Sequence, residues 1–360
     1  MVWETRERKR GESMQPPSLR IDQAEERLLA QWSSGWLRRY APKGRGRRPR
    51  LLVVAPLSGH FGWLMRDTVM DLSAAHDVHL LEWRDARDIP ASAGHLGLDA
   101  YIGTIMAALR HLGPGMAVLG VSQAPVPILA AAALMAAQSE PERPRTLILM
   151  GGFIDPRRNA TAVERMTARL PPGWFTRTLA TAVPEGEAGA GRRVYPAAAH
   201  SQALQRYLQR HIRMRGELHG KIGSDDGGDP ARFPFRRLYT TLMDLPAEFA
   251  EDNARKVFAE ARLATGSLAC SGRLVEPAMM TDTALLTVEG AADDSSGPGH
   301  THAAHSLCSN LPEGLRGRAT LPGIGHFGLF HGETWRRQVL PLVEAFVEAQ
   351  TPKAGTKSRP

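Results

Sequence analysis

The sequence predicts an α/β fold in which helices flank a mostly parallel central sheet. Its first support is a series of short, largely apolar runs at 51–56, 78–83, 116–120, 146–150 and 284–288, of which 51–56 is continuous, as is typical of a strand buried on both faces. Helical stretches separate these runs, as the crossover connections of a parallel sheet require. Several runs also end in glycine-containing turns, and binding sites form at the carboxyl ends of such strands.

The length and composition of the chain limit the classes of protein to which it can belong. The chain has 360 residues, 42% of them hydrophobic, which is enough to bury a large core. Its two cysteines argue against a disulfide framework. The beginning of the chain shows no apolar signal segment, and the most apolar run, 128–137, is far shorter than the ~20 residues of a membrane span. We therefore expect a soluble, cytoplasmic protein; the sequence predicts no particular oligomeric state.

The net charge is +8, and basic clusters lie at 6–10 and 43–50. Between these clusters, the apolar residues of 19–40 follow a helical spacing that includes Trp32 and Trp36. We therefore predict that residues 1–47 form a basic tail with an amphipathic helix. This tail is either a solvated segment or a docking element for an anionic or lipid-like surface. Because no nucleic-acid motif accompanies the charge, we expect no nucleic-acid partner.

Residues 48–156 are predicted to form the first part of the core. The run at 51–56 leads into the turn at 57–62, where glycines allow the backbone to approach a ligand. Helices are predicted at 63–75, 98–112 and 127–137, and they alternate with the strands given above.

Residues 157–249 lose this alternation and are predicted to be a cap inserted over the carboxyl edge of the sheet. Their aromatic residues would either face an apolar ligand or form a small core of the cap itself. The core resumes over 250–350, with helices predicted at 243–261, 301–307 and 335–350 and a last short strand at 318–321. The polar tail 351–360 is expected to be disordered.

The segment Gly120-Val121-Ser122-Gln123-Ala124 lies between a predicted strand and a predicted helix. This is the arrangement of a nucleophile elbow, in which a sharp turn holds a serine hydroxyl clear of the sheet. Small residues are needed two positions before and after the serine, and Gly120 and Ala124 meet that need. We therefore predict Ser122 as a nucleophile, against the simpler possibility of a helix N-cap.

A serine nucleophile needs a base, and the base needs an acidic partner. Asp293 follows a predicted strand and His326 lies in a glycine-flanked loop after the last strand, so the chain order is serine, acid, histidine. Asp294 is the alternative acid, although the spacing from Gly290 favours Asp293. Two backbone donors must also hold the oxyanion. We assign one to Gln123 and the other to Leu57 or Ser58.

A metal site is the competing interpretation. The segment after Asp293 and Asp294 contains ligand types that bind zinc, namely His300, His302, His305 and Cys308. On one helix, His302 and His305 would share a face that His300 does not. No matching metal motif occurs elsewhere, so we predict neither a metal nor a cofactor.

Taken together, these residues resemble the intracellular polyhydroxybutyrate depolymerase family of α/β-hydrolases. The resemblance extends over about 51–348 and rests on six blocks in the same order: Val54–Phe61, Ser122–Pro127, Leu149–Asp155, Met243–Phe249, Leu286–Asp294 and Gly325–Gly328. One difference stands out. Many members of that family have cysteine where this chain has Ser122.

The resemblance implies an α/β-hydrolase fold with a cap and a triad at Ser122, Asp293 and His326. It also implies cleavage of polyester or short 3-hydroxyalkanoate esters, with possible association of the protein with storage granules. Two alternatives remain at this stage: a general carboxylesterase or lipase, and a catalytically silent granule-binding protein.

Overall fold

A computed structural model describes residues 18–42, 48–58, 62–199, 202 and 242–351 of the chain. The basic clusters at 6–10 and 43–47, Gly59 and most of the segment 200–241 lie outside the described residues, as does the tail after 351.

A sheet of eight strands organises the chain, in the order β1-β2-β4-β3-β5-β6-β12-β13. The first two strands are antiparallel to their neighbours and the other pairs are parallel. The strands of this sheet are β1 (Ala24–Gln31), β2 (Gly35–Pro42), β3 (Arg50–Val54), β4 (Asp77–Trp83), β5 (Ala117–Val121), β6 (Thr146–Met150), β12 (Ala284–Gly290) and β13 (Arg316–Leu321). Strands β5 and β6 are buried along their whole length, as expected for strands covered on both faces.

Helices of very different lengths connect the strands. The α-helices are α1 (Arg66–Leu72), α2 (Leu98–Leu112), α3 (Pro125–Ala137), α4 (Ala162–Thr167), α5 (Trp174–Thr178), α6 (Ala247–Asp252), α7 (Ala303–Leu307), α8 (Gly332–Thr334) and α9 (Leu340–Gln350). Two π-helical segments follow α6 and α8, at Asn253–Ala259 and Trp335–Val339. Short 3₁₀ helices lie at Gly62–Met65, Ala86–Asp88, Ala91–Ala93, Pro277–Met279, Glu313–Leu315 and Phe327–Leu329. In the described parts of the chain, no helix is both long enough and apolar enough to cross a membrane.

The predicted alternation of strands and helices from residue 48 to 156 is confirmed. The predicted helix 98–112 and strand 146–150 match α2 and β6 at both ends. The helix predicted over 127–137 begins two residues earlier, at Pro125, because proline is well suited to the first turn of a helix.

The amphipathic helix predicted between residues 19 and 40 is wrong. This segment forms the antiparallel hairpin of β1 and β2, and β2 pairs with β4. Trp36 is buried, and Trp32 packs edge-on against the ring of His111. Neither tryptophan is therefore free to enter a lipid-like surface.

The helix prediction failed because it did not take account of the turn residues Ser33, Ser34 and Gly35. These residues close the hairpin, in which Trp32 N–H donates to the Gly35 carbonyl at 2.8 Å. A Cβ atom at Gly35 would lie 2.6 Å from the Glu82 carbonyl oxygen, so glycine permits β2 to approach β4 at that point.

The described parts of the region 157–249 are built from short elements. Helices α4 and α5 are followed by a second sheet of three strands, in the order β7 (Thr181–Ala182), β8 (Arg193–Tyr195) and β9 (Leu245–Pro246). Strand β9 occupies the beginning of the helix predicted at 243–261, which starts at Ala247 instead and continues as π-helix. A separate hairpin joins β10 (Ala269–Cys270) to β11 (Arg273–Leu274).

Candidate active site

Three strands of the main sheet end next to the predicted triad. Ser122 directly follows β5, Asp293 lies in the loop after β12, and His326 lies in the loop after β13. Because these strands are parallel, their carboxyl ends share one edge of the sheet. The topology therefore collects three residues that are far apart in sequence.

Ser122 occupies a strained turn. Its φ angle is +59°, a left-handed conformation that costs a non-glycine residue about 1–3 kcal/mol. The turn is held by a hydrogen bond from Ser122 N–H to the Met150 carbonyl at 3.0 Å. A Cβ atom at Gly120 would lie 2.2 Å from Ile128 Cδ1 and 3.1 Å from Ala124 Cβ, so the small residues flanking the serine are required by space. The elbow predicted from the sequence has this geometry.

His326 connects the serine to the carboxylate. Its Nε2 atom lies 3.0 Å from Ser122 Oγ, and its Nδ1 atom lies 2.8 Å from Asp293 Oδ2. The tautomer that suits both contacts carries its proton on Nδ1, which donates to Asp293 and leaves Nε2 to accept from the serine. This is the arrangement in which histidine can take the proton of an alcohol.

Asp293 is fixed from its other side. Its Oδ1 atom accepts hydrogen bonds from the N–H groups of Ser295 and Ser296, both at 2.8 Å, and its side chain is fully buried. Gly151, with φ +52°, gives the acid and the base room. A Cβ atom there would lie 3.3 Å from both Asp293 Oδ2 and His326 Cε1. These contacts favour Asp293 over Asp294 as the acidic partner.

The predicted oxyanion donors lie beside the serine. Gln123 and Ser58 line the same cavity as Ser122, whereas Leu57 is buried and is not part of the cavity wall. The Gln123 N–H makes no hydrogen bond within the part of the chain described and remains available to a ligand. This placement favours Ser58 over Leu57 as the second donor.

The cavity in front of Ser122 has a volume of about 360 Å³, which is within the usual range of small-molecule sites. Its wall is largely aromatic and aliphatic, and Phe153, Phe249 and Phe258 supply much of it. Besides Phe249, two further aromatics of the region 157–249, Phe175 and Tyr195, line the cavity, and they contact each other. Trp174 packs on Phe175 instead of lining the cavity, and Tyr207, Phe233, Phe235 and Tyr239 lie outside the described residues.

The same cavity wall includes a carboxyl group that was not predicted from the sequence. Glu164, on α4, is only 3% exposed, and its Oε1 atom lies 3.3 Å from Nδ1 of the fully buried His300. Burial raises the pKa of Glu164 to about 7 and lowers the pKa of His300. The sequence signal was the pair Thr161 and Glu164, which has the spacing of a helix capping box and carries no sign of a cavity.

The residues considered as zinc ligands are placed apart. His302 Nδ1 and His305 Nε2 both contact the hydroxyl of Thr287, at 2.6 and 2.9 Å, whereas His300 faces Glu164. Burial raises the pKa of the Cys308 thiol to about 12, which opposes the thiolate form that binds zinc. Within the described ranges, no cluster of three or more such side chains could hold a metal ion.

Comparison with known proteins matches the chain to a family model and to solved structures. A family model described as "PHB de-polymerase C-terminus" matches residues 151–351. No curated protein sequence matches the chain.

Solved structures share the fold at low sequence identity. An esterase from Rhodococcus sp. ECU1013 is 14% identical with a TM-score of 0.51, over 91% of this chain and 99% of its own. The 2-hydroxy-6-oxo-6-phenylhexa-2,4-dienoate hydrolase of Rhodococcus sp. strain RHA1 is 13% identical with a TM-score of 0.51, over 90% and 98%. A hypothetical protein of Pseudomonas aeruginosa is 12% identical with a TM-score of 0.52, over 94% and 99%. The predicted α/β-hydrolase fold is confirmed.

Proposed function

Because this chain belongs to the PHB depolymerase family whose C-terminal model matches it, we propose that it cleaves polyhydroxyalkanoate esters through a triad of Ser122, Asp293 and His326. Membership of the family makes the protein a carboxylic ester hydrolase. The observation that carries the residue assignment is the continuous chain of contacts from Ser122 Oγ through His326 to Asp293, at 3.0 and 2.8 Å.

The proposed reaction proceeds through an acyl-enzyme. Ser122 Oγ attacks the ester carbonyl carbon while its proton passes to His326 Nε2, and Asp293 stabilises the resulting imidazolium. The N–H groups of Gln123 and Ser58 would hold the oxyanion. The tetrahedral intermediate then expels the alkoxide of the neighbouring unit, which takes the proton from Nε2. Water repeats the sequence at the acyl-enzyme and releases the 3-hydroxyacid, leaving the serine protonated again.

The apolar cavity wall supports a polyester substrate. A 3-hydroxyalkanoate chain is uncharged between its ends and carries aliphatic side groups, which suit a cavity lined by phenylalanines. The described residues of this wall include no Lys or Arg side chain that would recruit an anionic substrate.

The decisive test is the variant Ser122→Ala. We expect it to lower kcat on p-nitrophenyl butyrate and on amorphous polyhydroxybutyrate by at least about a thousandfold, because no other group replaces the nucleophile. The thermal midpoint should stay close to that of the parent protein. Hydrolysis of both substrates at an unchanged rate would reject the assignment of Ser122.

The variant Ser122→Cys tests the difference from the family pattern. A thiol in contact with His326 ionises readily and can carry out the same acyl transfer. We expect this variant to retain polymer hydrolysis well above the Ser122→Ala background. Comparing the polymer with a simple aryl ester also separates a depolymerase from a general carboxylesterase, which would cleave only the soluble ester efficiently.

We also propose that the protein works at the surface of storage granules. The hairpin of β1 and β2 is excluded as a detachable anchor, because Leu37 and Tyr40 are buried in the core. The remaining support is the basic cluster at 6–10. Deleting those residues, rather than the whole segment 1–47, should reduce sedimentation with amorphous granules while hydrolysis of p-nitrophenyl butyrate continues. Equal sedimentation of the deleted and full-length proteins would reject granule attachment through this segment.

A further inference from the structure

Asn253 is a polar residue within an apolar stripe of the cavity wall. It is the first residue of the π-helical segment that follows α6, and such segments are frequent at functional sites. The other residues of α6 and this segment that line the cavity are apolar, namely Phe249, Ala250, Ala254 and Phe258. An amide on such a surface costs free energy unless it finds a hydrogen-bond partner.

Among the described residues, the amide of Asn253 has no hydrogen-bond partner. An asparagine within a helix can bond back to a carbonyl of the preceding turn, but Asn253 makes no such bond to a described residue. Its side chain is half-buried, and neither of its polar atoms is fully buried without a partner. The amide is therefore open to a molecule that enters the cavity.

The reaction and the fold account for the other polar side chains of the described cavity wall. Outside the proposed reaction centre, Ser295 lies in the loop that holds the triad acid, and Glu164 holds the start of α4. Thr167 and Tyr195 interact with other residues of the protein. Asn253 is the polar side chain of this wall that remains to be explained.

The chemistry of a polyester chain suits this amide. Between its ends, such a chain carries carbonyl and ester oxygens, which accept hydrogen bonds, and it carries no donor. The backbone N–H groups of Gln123 and Ser58 would hold the carbonyl that is attacked, so any other carbonyl in the cavity needs a separate donor. Nδ2 of Asn253 offers two N–H groups for this purpose.

The cavity provides the room for a second unit. Its volume of about 360 Å³ is in the range that takes drug-sized molecules, which are larger than one four-carbon ester unit. Ser122 follows strand β5, whereas the π-helical segment of Asn253 packs against α4. The attacking hydroxyl and the free amide thus belong to different elements that border one cavity, as two points of contact along a chain require.

We propose that Asn253 forms a subsite for a second ester group, in which its Nδ2 donates a hydrogen bond to the ester carbonyl one unit away from the bond that Ser122 cleaves. The protein would then favour substrates with two or more ester groups over substrates with one. This inference rests on the proposed ester hydrolysis at Ser122 and adds a requirement on the length of the chain.

The test removes the second carbonyl from the substrate with little change of shape. p-Nitrophenyl 3-acetoxybutyrate carries this carbonyl on the acyl side of the cleaved bond, and p-nitrophenyl 3-ethoxybutyrate has CH₂ in its place. Methyl 3-(butyryloxy)butyrate and the ether with CH₂ in place of its methyl ester carbonyl make the same comparison on the alcohol side. In one of these pairs, we expect the parent protein to have a kcat/KM about tenfold higher for the carbonyl compound, measured by release of p-nitrophenolate or butyrate.

Asn253→Leu replaces the amide with an apolar side chain of similar size. We expect the kcat/KM ratio of that pair to fall to about one, because leucine cannot donate a hydrogen bond. Asn310→Leu is the matched control, since Asn310 is exposed and lies outside the cavity, and its ratio should equal that of the parent.

A parent protein that treats both compounds alike in both pairs would overturn the inference, even if Asn253→Leu does not fold. A folded Asn253→Leu that keeps the parent ratio would also overturn it, because a purely structural role lowers kcat/KM for both compounds by the same factor. Failure of the proposed function is a separate result, in which Ser122→Ala still hydrolyses both compounds of each pair.

Discussion

Two groups of side chains near strand β12 share the same chemistry, since each combines histidine with a hydroxyl group and a carboxylate. In one, His326 connects the carboxylate of Asp293 to the hydroxyl of Ser122. In the other, His302 and His305 both contact the hydroxyl of Thr287. The difference lies in the hydroxyl groups: Ser122 lies on a strained turn and faces a cavity, whereas Thr287 lies within the strand and is fully buried.

The carboxylates differ in the same way. Asp293 directs one oxygen to its histidine ring and holds the other with two backbone N–H groups. Glu289 uses its oxygens on the N–H groups of Gly299 and His302, so it pins the loop before α7 to the strand. The same kinds of side chain therefore form a reactive group around Ser122 and a structural crosslink around Thr287. The difference depends on which atoms remain available to a ligand.

Among variants of these two groups, Asp293→Asn is expected to have the largest effect on activity. The amide can keep its oxygen on the N–H groups of Ser295 and Ser296, which turns its NH₂ group towards His326 and favours the tautomer with a proton on Nε2. That ring can no longer accept the serine proton, so we expect kcat on p-nitrophenyl butyrate to fall by about 10⁴-fold.

Asp294→Asn is the matched control for that variant and should stay within a few-fold of the parent kcat. If Asp294→Asn lowered kcat more than Asp293→Asn, Asp294 would be the acidic partner of His326, and the first of the two groups compared above would be wrongly assigned.

The site could be predicted from sequence because each of its parts has a local signal. Gly120, Ser122 and Ala124 identify a turn between a strand and a helix, and the order of serine, acid and histidine agrees with strands that end at one edge. Glu164 could not be found in this way. Its place on the cavity wall depends on how α4 packs against the π-helical segment Asn253–Ala259, which no local pattern of residues records.

The strands of the fold also differ in whether a local sequence signal identifies them. Strands β3, β5 and β6 were predictable because parallel strands buried on both faces are almost entirely apolar. The half-exposed strands β1 and β2 mix charged and apolar residues, and their spacing fits a helix as well as a strand. The pairing of β2 with β4 decides between the two, and that pairing is a long-range contact.

A smaller effect is expected at the second cluster, for Thr287→Val. Valine preserves the shape of the side chain but removes the hydroxyl that both histidines contact, and it leaves the ring nitrogen of the buried His305 without that partner. We expect the free energy of unfolding to fall by about 1–3 kcal/mol, measured by urea denaturation. The kcat on p-nitrophenyl butyrate should be unchanged, and a loss of kcat as large as that of Asp293→Asn would show that the two clusters are coupled.

The stability of the second cluster should also depend on pH. Burial lowers the pKa of His305 to about 4, from about 6.5 in an unfolded chain, so between these values the unfolded state binds more protons than the folded state. The contribution of this histidine to stability is therefore complete above pH 6.5 and is lost as the pH falls towards 4, by at most about 1.4 kcal/mol per pH unit.

Glutamine cannot titrate in this range, so His305→Gln should have a shallower dependence of the unfolding free energy on pH between 6.5 and 4 than the parent protein. Burial also lowers the pKa of His302, so part of the slope should persist in His305→Gln. An identical slope in the parent and in His305→Gln would mean that His305 is already accessible to protons in the folded protein, and the second cluster would then not be the closed structural crosslink that distinguishes it from the triad.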